Sequence, residues 1–214
     1  FSRTPVNQSH ILGLSIPNPM MLPDMFRFFD LCRIPALRSQ RNDKHPLVIA
    51  GNSGVLNPAP FEPFIDAMVI GDGEEPTSKI AELAIKHKQS KSFDKNQFLK
   101  ELAAIEGVYV PAFTERIYDA QGCLKDVVYR GNPSGKVRFA HVEDLNETRR
   151  AGLLIPKGTP PLVLIDYSCR YKCGFCQMSN SRGTYRNIDN GHIKKYLQEF
   201  DDMGIKSVAV AGTC

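Results

Sequence analysis

Short apolar runs, most of them closed by glycine or proline, punctuate this chain of 214 residues and constrain its fold more than any other feature. Such runs are typical of strands that are buried on both faces, as in parallel sheets. Segments with helical patterns follow the runs, and strands that alternate with helices predict an α/β fold. The runs occupy residues 11–16, 47–50, 67–70, 162–165 and 208–210.

Four segments between these runs carry helix signals. Residues 74–88 begin with glutamates and end with a Lys-His-Lys triplet, which agrees with the helix dipole. Asp94 is a candidate cap for a helix that ends at Ile105. Residues 23–32 predict a further helix, which ends before Pro35. A helix from Asp189 places apolar side chains at i, i+3, i+4 and i+7. The apolar residues of the helix from Asp189 are Ile193, Tyr196, Leu197 and Phe200.

The pattern divides the chain into three parts. Residues 1–106 predict a partial doubly wound α/β domain, and residues 107–160 predict a β-hairpin followed by a proline-rich linker. Residues 161–214 read strand, loop, helix, strand, which is one βαβ step of an α/β layer or barrel. Because the chain begins with Phe rather than Met, we expect it to be a piece of a longer protein.

Six cysteines are present, and three of them fall within eight residues. A secreted disulfide scaffold would be shorter and more evenly crosslinked. We therefore expect a cytoplasmic protein with one dedicated metal site. The three clustered cysteines are Cys169, Cys173 and Cys176.

The spacing C-x3-C-x2-C places three thiolates on a loop directly after a strand. Three closely spaced thiolates can surround one face of an iron–sulfur cube, and we predict a [4Fe–4S] cluster with these ligands. Three protein ligands leave the fourth iron open, and an open metal position is what a chelating substrate requires.

The residues around the cysteines fit this prediction. Gly174 allows the backbone to turn tightly, and Phe175 can shield the cluster from water. Arg170 and Lys172 favour thiolates and a cluster of net negative charge. Zinc is the alternative, with His192 or Cys214 as the fourth ligand, and it would make the chain a non-catalytic binding module.

The cysteine spacing, with an aromatic residue before the last cysteine, is similar to the motif of the radical S-adenosylmethionine (SAM) superfamily. This resemblance implies that Cys169, Cys173 and Cys176 ligate the cluster and that the open iron binds the amino and carboxylate groups of SAM. It also implies an electron transfer that cleaves SAM and yields a 5′-deoxyadenosyl radical.

The same resemblance assigns further cofactor contacts. It implies that Phe175 lies near the adenine of SAM, and that Gly212 and Thr213 contact its methionine amino group. Ala211 stands where the family often has the first of two glycines.

Glycine-rich loops follow two strands, at residues 51–54 and 71–75. Ligands of open α/β sheets bind at such carboxyl ends. The order of these segments resembles the later half of the cobalamin-binding-type domain that precedes many radical SAM barrels. This resemblance implies a partial Rossmann-like domain followed by the start of a radical SAM partial TIM barrel. The residues that would face the cobalamin nucleotide tail are Ser15, Gly51, Asn52, Gly71 and Gly73.

His10 has the spacing of the histidine in the D-x-H-x-x-G motif of cobalamin proteins, but the aspartate is missing. We therefore interpret His10 as a residue that leads into the first strand and not as a cobalt ligand.

The leading hypothesis is thus a radical enzyme that modifies an unknown substrate, with cobalamin-linked methyl transfer as an elaboration and a reductant such as flavodoxin or ferredoxin as partner. A related alternative is methylthiolation of tRNA or a ribosomal protein, because residues 181–186 are similar to those enzymes and their arginines could contact phosphate. We favour a solvated loop there, and the net charge of +4 is weak evidence for nucleic acid. No run reaches the roughly 18 apolar residues of a membrane helix.

Overall fold

The computed structural model describes residues 4–89, 94–145 and 160–212. The chain divides into two compact units, Phe1–His141 and Val142–Cys214. The hairpin predicted within residues 107–160 lies in the first unit, and the three-part division of the chain stays a prediction.

A four-stranded sheet forms the centre of the first unit. Its order is β1-β2-β3-β4, where β1, β2 and β3 are parallel and β4 is an antiparallel edge strand. The parallel strands coincide with three of the apolar runs, whereas the antiparallel strand was not predicted. The elements of this sheet and its helices are β1 (Ile11–Ser15), α1 (Leu22–Leu31), β2 (Leu47–Gly51), β3 (Ala67–Val69), α2 (Glu74–Gln89), α3 (Lys95–Ala103) and β4 (Val108–Tyr109).

Both faces of this sheet are covered by apolar clusters, because successive strand residues point to opposite sides. Val48 and Ala50 belong to a cluster with Phe29 of α1. Leu47 and Ile49 belong to a second cluster with residues of α2 and α3. The sheet therefore has helices on both faces, which is the doubly wound arrangement that the sequence predicted.

The predicted hairpin is present, formed by β5 (Thr114–Tyr118) and β6 (Leu124–Tyr129). Its turn includes Gly122 at φ 80°, and Asp119 accepts the Gly122 N–H at 3.1 Å. The start of the hairpin is linked to the buried Glu62, whose Oε1 accepts hydrogen bonds from Tyr109 and Arg116 at 2.6 Å each. Burial raises the pKa of Tyr109 above its usual range, so the phenol stays a donor.

The second unit contains the predicted βαβ step. Strands β7 and β10 pair in parallel, and α5 lies between them in the chain. Two short strands, β8 and β9, pair antiparallel and enclose the cysteine segment, a feature that the sequence patterns did not predict. The elements are β7 (Leu162–Leu164), β8 (Asp166–Tyr167), α4 (Gln177–Ser181), β9 (Arg186–Asn187), α5 (Asn190–Asp202) and β10 (Ala209–Ala211).

Helix α5 begins where its sequence predicts. Asp189 caps it by accepting the N–H groups of Gly191 and His192. Hydrogen bonds from the backbone N–H and ring of His192 lower the pKa of Asp189. Phe200 is buried as expected, but Leu197 is 38% exposed, so it contributes less to the core than the helical periodicity predicted.

In the part of the chain that the structure describes, no helix has the length and apolar character needed to cross a membrane.

Candidate functional site

The three clustered cysteines share the loop between β8 and α4. Cys169 and Cys176 are half-buried and Cys173 is exposed, and all three are thiols rather than disulfides. A turn joins the last two, because the N–H of Cys176 donates to the carbonyl of Cys173 at 3.0 Å. Cys176 is also the residue that precedes α4. Three thiols therefore lie on one loop at the end of a strand, as predicted.

The backbone of this loop is strained at positions that the sequence did not indicate. Ser168 and Lys172 have φ values of 65° and 43°, in the left-handed region that non-glycine residues rarely adopt. A Cβ placed at Gly174 would meet nothing within 4 Å. Gly174 lies within the turn between Cys173 and Cys176, as expected, but neither its φ nor a close neighbour requires glycine at that position.

Asn180 holds the second half of the loop and was not among the predicted site residues. Its Nδ2 donates to the carbonyls of Cys173 and Cys176, each at 2.8 Å. The only sequence signal was an asparagine four residues after the last cysteine, one helical turn further along. Two carbonyl contacts from one amide keep the Cys173–Cys176 turn in register with α4.

Phe175 does not cover the cysteines in this structure. Its ring is 93% exposed, so the shielding expected for it is not seen. Its predicted place near the adenine of SAM stays a prediction.

The donor set of this loop is three sulfurs. Within residues 4–89, 94–145 and 160–212, no three His, Cys, Asp or Glu side chains are gathered closely enough to hold a metal ion. The cysteine ligand set therefore stays a prediction. A set of three thiols on one loop, with one of the three residues exposed, fits a cluster with an open iron.

The fourth ligand that zinc would need finds little support in the described residues. His192 lies on α5, and its Nδ1 is 2.6 Å from Oδ2 of Asp189, the residue that caps the helix. Cys214 lies outside the described residues.

Gly212 follows β10 and lies against a buried carboxylate. A Cβ at this position would be 3.0 Å from Oδ2 of Asp166 and 3.3 Å from the side chain of Ile165. Asp166, in β8, is 5% exposed and stands three residues before Cys169. The absence of a side chain at Gly212 keeps this space open, whereas Thr213 lies outside the described residues.

The predicted cobalamin-contacting residues lie at the carboxyl ends of the parallel strands. Ser15 and Gly51 are the final residues of β1 and β2 and pair with each other. Asn52 has a φ of 85°, and its Nδ2 donates to Oγ of Ser15 at 3.1 Å. The structure thus brings Ser15, Gly51 and Asn52 together at one edge of the sheet.

Gly71 and Gly73 follow β3, and the structure explains the first by contacts within the chain. Gly71 has a φ of 119°, and a Cβ there would lie 2.3 Å from the carbonyl oxygen of Ala140. Ala140 forms hydrogen bonds with both neighbours of Gly71: its N–H donates to the carbonyl of Ile70 at 2.8 Å, and its carbonyl accepts the N–H of Asp72 at 2.9 Å. At Gly73 a Cβ would have room, with Oγ1 of Thr77 3.7 Å away. A cobalamin role for either glycine stays a prediction.

His10 leads into β1, as interpreted. Its carbonyl accepts the N–H of Leu47 at 3.0 Å, at the start of the β1–β2 pairing.

The arginine-containing segment at residues 181–186 is not a simple solvated loop. Arg186 lies in β9, stacks on Tyr167 with its guanidinium carbon 5.5 Å from the ring centroid, and donates to the carbonyl of Val142. Its guanidinium therefore makes contacts within the protein, which weakens the suggestion that it serves phosphate binding.

The chain is therefore an α/β protein in which a doubly wound unit is followed by a βαβ step that carries a three-cysteine loop. Residues 2–111 match the sequence model of the family described as radical SAM proteins, N-terminal. This match covers just over half of the chain, and the chain belongs to that family. A search of curated proteins gave no match.

Solved structures that share the fold include two of the radical S-adenosylmethionine methyltransferase TsrM from Kitasatospora setae. The structure with cobalamin and a [4Fe–4S] cluster bound matches 96% of this chain and 38% of that chain, with a TM-score of 0.57 and 16% identity. The structure with tryptophan substrate and the SAM analogue aza-SAM bound matches 95% and 36%, with a TM-score of 0.52 and 18% identity.

This chain thus spans less than two fifths of the solved chains that it matches. These findings confirm the predicted superfamily and the predicted α/β fold.

Proposed function

We propose that this chain is part of a radical SAM enzyme that cleaves SAM reductively and modifies its substrate, with cobalamin-linked methyl transfer as the most specific form of that activity. The observation that carries the proposal is the set of three thiols on one loop, directly after a strand, in a chain whose first half belongs to the radical SAM family. The substrate is left open.

Cys169, Cys173 and Cys176 would hold the cluster. When bound, a [4Fe–4S] cluster supplies the electron that cleaves SAM at an iron without a protein ligand. The chain's own residues would bind the cluster and orient the loop that carries it. Asn180 holds the turn between the second and third cysteines, and Gly212 leaves space beside Asp166 at the end of β10.

Two observations support a cobalamin-type ligand at the first unit. Ser15 and Asn52 lie at the carboxyl edge of a parallel sheet, where ligands of open α/β sheets bind. In addition, one structure with the same fold, that of TsrM, holds cobalamin. A one-electron donor such as flavodoxin or ferredoxin would be the physiological reductant, and we expect a cytoplasmic enzyme.

Full-length protein, purified and reconstituted without oxygen, tests the proposal. We expect about four irons and four sulfides per chain, as a [4Fe–4S] cluster requires. We also expect 5′-deoxyadenosine on addition of SAM and dithionite. Cys173→Ala should remove the broad visible absorption of the cluster, whereas Cys123→Ala, which changes an exposed cysteine far from the loop in sequence, should retain it.

The same preparation separates the alternatives. One zinc per chain and no iron would support a non-catalytic binding module and would overturn the proposal. A product that gains sulfur as well as a methyl group would identify a methylthiotransferase. Iron without any 5′-deoxyadenosine would contradict the reductive cleavage of SAM.

A further inference from the structure

The two segments that flank the cysteine loop remain side by side beyond the end of the β8–β9 pairing. Tyr167 and Arg186 are the last paired residues of the two strands. Further out, Oγ of Ser168 donates to the carbonyl of Gly183 at 3.0 Å. The strands therefore continue to approach each other through side chains after the backbone ladder has ended.

Arg170 and Tyr185 make a further contact between the two segments, and we call this pair the Arg–Tyr clasp. The guanidinium carbon of Arg170 lies 4.8 Å from the centroid of the Tyr185 ring, and Nη2 donates to the Tyr185 hydroxyl at 3.0 Å. Arginine can make both contacts because its planar guanidinium stacks on a ring and still presents N–H donors. A lysine could not reproduce this pair of contacts.

The clasp lies next to the first predicted ligand. Arg170 directly follows Cys169, whereas Cys173 and Cys176 are held from the other side by Asn180. The loop is thus fastened at both ends, with the clasp at Cys169 and the asparagine at the later cysteines. The positive φ values of Ser168 and Lys172 show that the intervening backbone is in a conformation that needs such support.

We propose that Arg170 and Tyr185 are positioning residues for the [4Fe–4S] cluster: the clasp holds Cys169 in its ligating position and keeps a fixed positive charge beside the cluster. This inference rests on the proposed function. Because a nearby cation stabilises the more negative, reduced form of a cluster, Arg170 raises the reduction potential.

The test uses full-length protein reconstituted without oxygen, in four variants besides the wild type. Arg170→Gln removes the charge and the stacking, Arg170→Lys keeps only the charge, and Tyr185→Phe keeps the ring but removes the hydroxyl. Lys194→Gln is the control, because Lys194 is an exposed cation on α5 and lies outside the cysteine loop. The measurements are the rate of iron loss to a chelator and the midpoint potential from redox titration followed by electron paramagnetic resonance.

We expect Arg170→Gln to lose iron about two- to fivefold faster than the wild type, as the loss of an exposed cation–π contact predicts, and to have a lower midpoint potential. Arg170→Lys should recover the potential but not the retention of iron. Tyr185→Phe should lose iron at an intermediate rate, and Lys194→Gln should retain iron like the wild type.

Hydrogen exchange of the metal-free proteins controls for folding. We expect Arg170→Gln to expose the amides of residues 168–171 and to leave those of α5 protected. If α5 also loses protection, the rate of iron loss is compared between Tyr185→Phe and the wild type instead. Equal iron loss in Arg170→Gln, Lys194→Gln and wild type would overturn the clasp while the proposed function stands. A wild-type protein without any iron–sulfur cluster would overturn both.

Discussion

Arg41 and Asp66 form an ion pair with 3.0 Å between Nη2 and Oδ2, and their side chains are 0% and 4% exposed. Asp66 also accepts the backbone N–H of Val48 in the middle of the sheet at 2.9 Å. Arg41 donates in addition to three backbone carbonyls, so the pair joins the loop before β2 to the loop before β3. Burial lowers the pKa of Arg41 from its usual value, whereas the Asp66 charge opposes that shift.

The substitution Asp66→Asn should destabilise the first unit strongly. It leaves the Arg41 guanidinium buried without its counter-charge, which typically costs about 3–5 kcal/mol. Urea unfolding followed by circular dichroism measures the change. Glu115→Gln breaks the exposed pair between Glu115 and Arg130 and should change the free energy of unfolding by less than about 1 kcal/mol. Equal effects of the two substitutions would contradict the importance of burial.

The two glycines after β3 should differ in their tolerance of a side chain. Gly71→Ala places a Cβ in contact with the Ala140 backbone at a positive φ, so we expect a loss of about 1–3 kcal/mol. Gly73→Ala meets only Oγ1 of Thr77 at 3.7 Å and should fold like the wild type. Thermal unfolding compares them. If Gly73→Ala folds normally but binds cobalamin weakly, its predicted contact with that ligand gains support.

Glu101 should make the packing of α2 on α3 dependent on pH. A hydrogen bond from Gln97, followed by one from Lys86, lowers the pKa of Glu101 from 4.5 to about 2. Because the folded-state pKa is the lower one, this stabilisation is fully present above pH 4.5 and is lost as the pH falls towards 2.

The difference in urea midpoint between wild type and Glu101→Gln should therefore shrink as the pH is lowered through this window. Glu82→Gln, which removes an exposed carboxylate of α2, is the matched control. A difference that stays constant from neutral pH to the acid limit would contradict the predicted linkage.

Asn180→Ala should loosen the turn between the second and third cysteines. The loss of the two hydrogen bonds from Nδ2 should speed hydrogen exchange at the Cys176 amide by about two- to tenfold, which corresponds to about 0.5–1.5 kcal/mol. Gln177→Ala changes an exposed side chain at the start of the same helix and serves as control. Unchanged exchange in Asn180→Ala would show that the turn holds itself.

Much of the fold could be predicted because its causes are local in the chain. The apolar run at residues 47–50 becomes the central strand β2 because it is too short for a helix and glycine ends it. Asp94 and Asp189 cap helices because their side chains accept N–H groups two and three residues ahead. The cysteine loop could be placed after a strand for the same reason.

The remaining features could not be predicted because they join residues far apart in the chain. Gly71 needs a positive φ because Ala140 pairs with it, and no local pattern indicates that partner. The pairing of β8 with β9 depends on residues on both sides of the cysteine loop, and strands of two residues carry no periodicity. Leu197 followed the helical pattern but is partly exposed, because burial depends on what packs against the helix.

The sequence by itself determined the alternation of strands and helices, the spacing of the three thiols and hence the kind of metal chemistry to expect, since all of these depend on neighbouring residues. Only the tertiary structure decided that Asn180 holds the later cysteines, that Arg170 stacks on Tyr185 and that Asp66 neutralises Arg41. Those contacts form when chain folding brings distant side chains within hydrogen-bonding distance, and the order of residues does not specify that proximity.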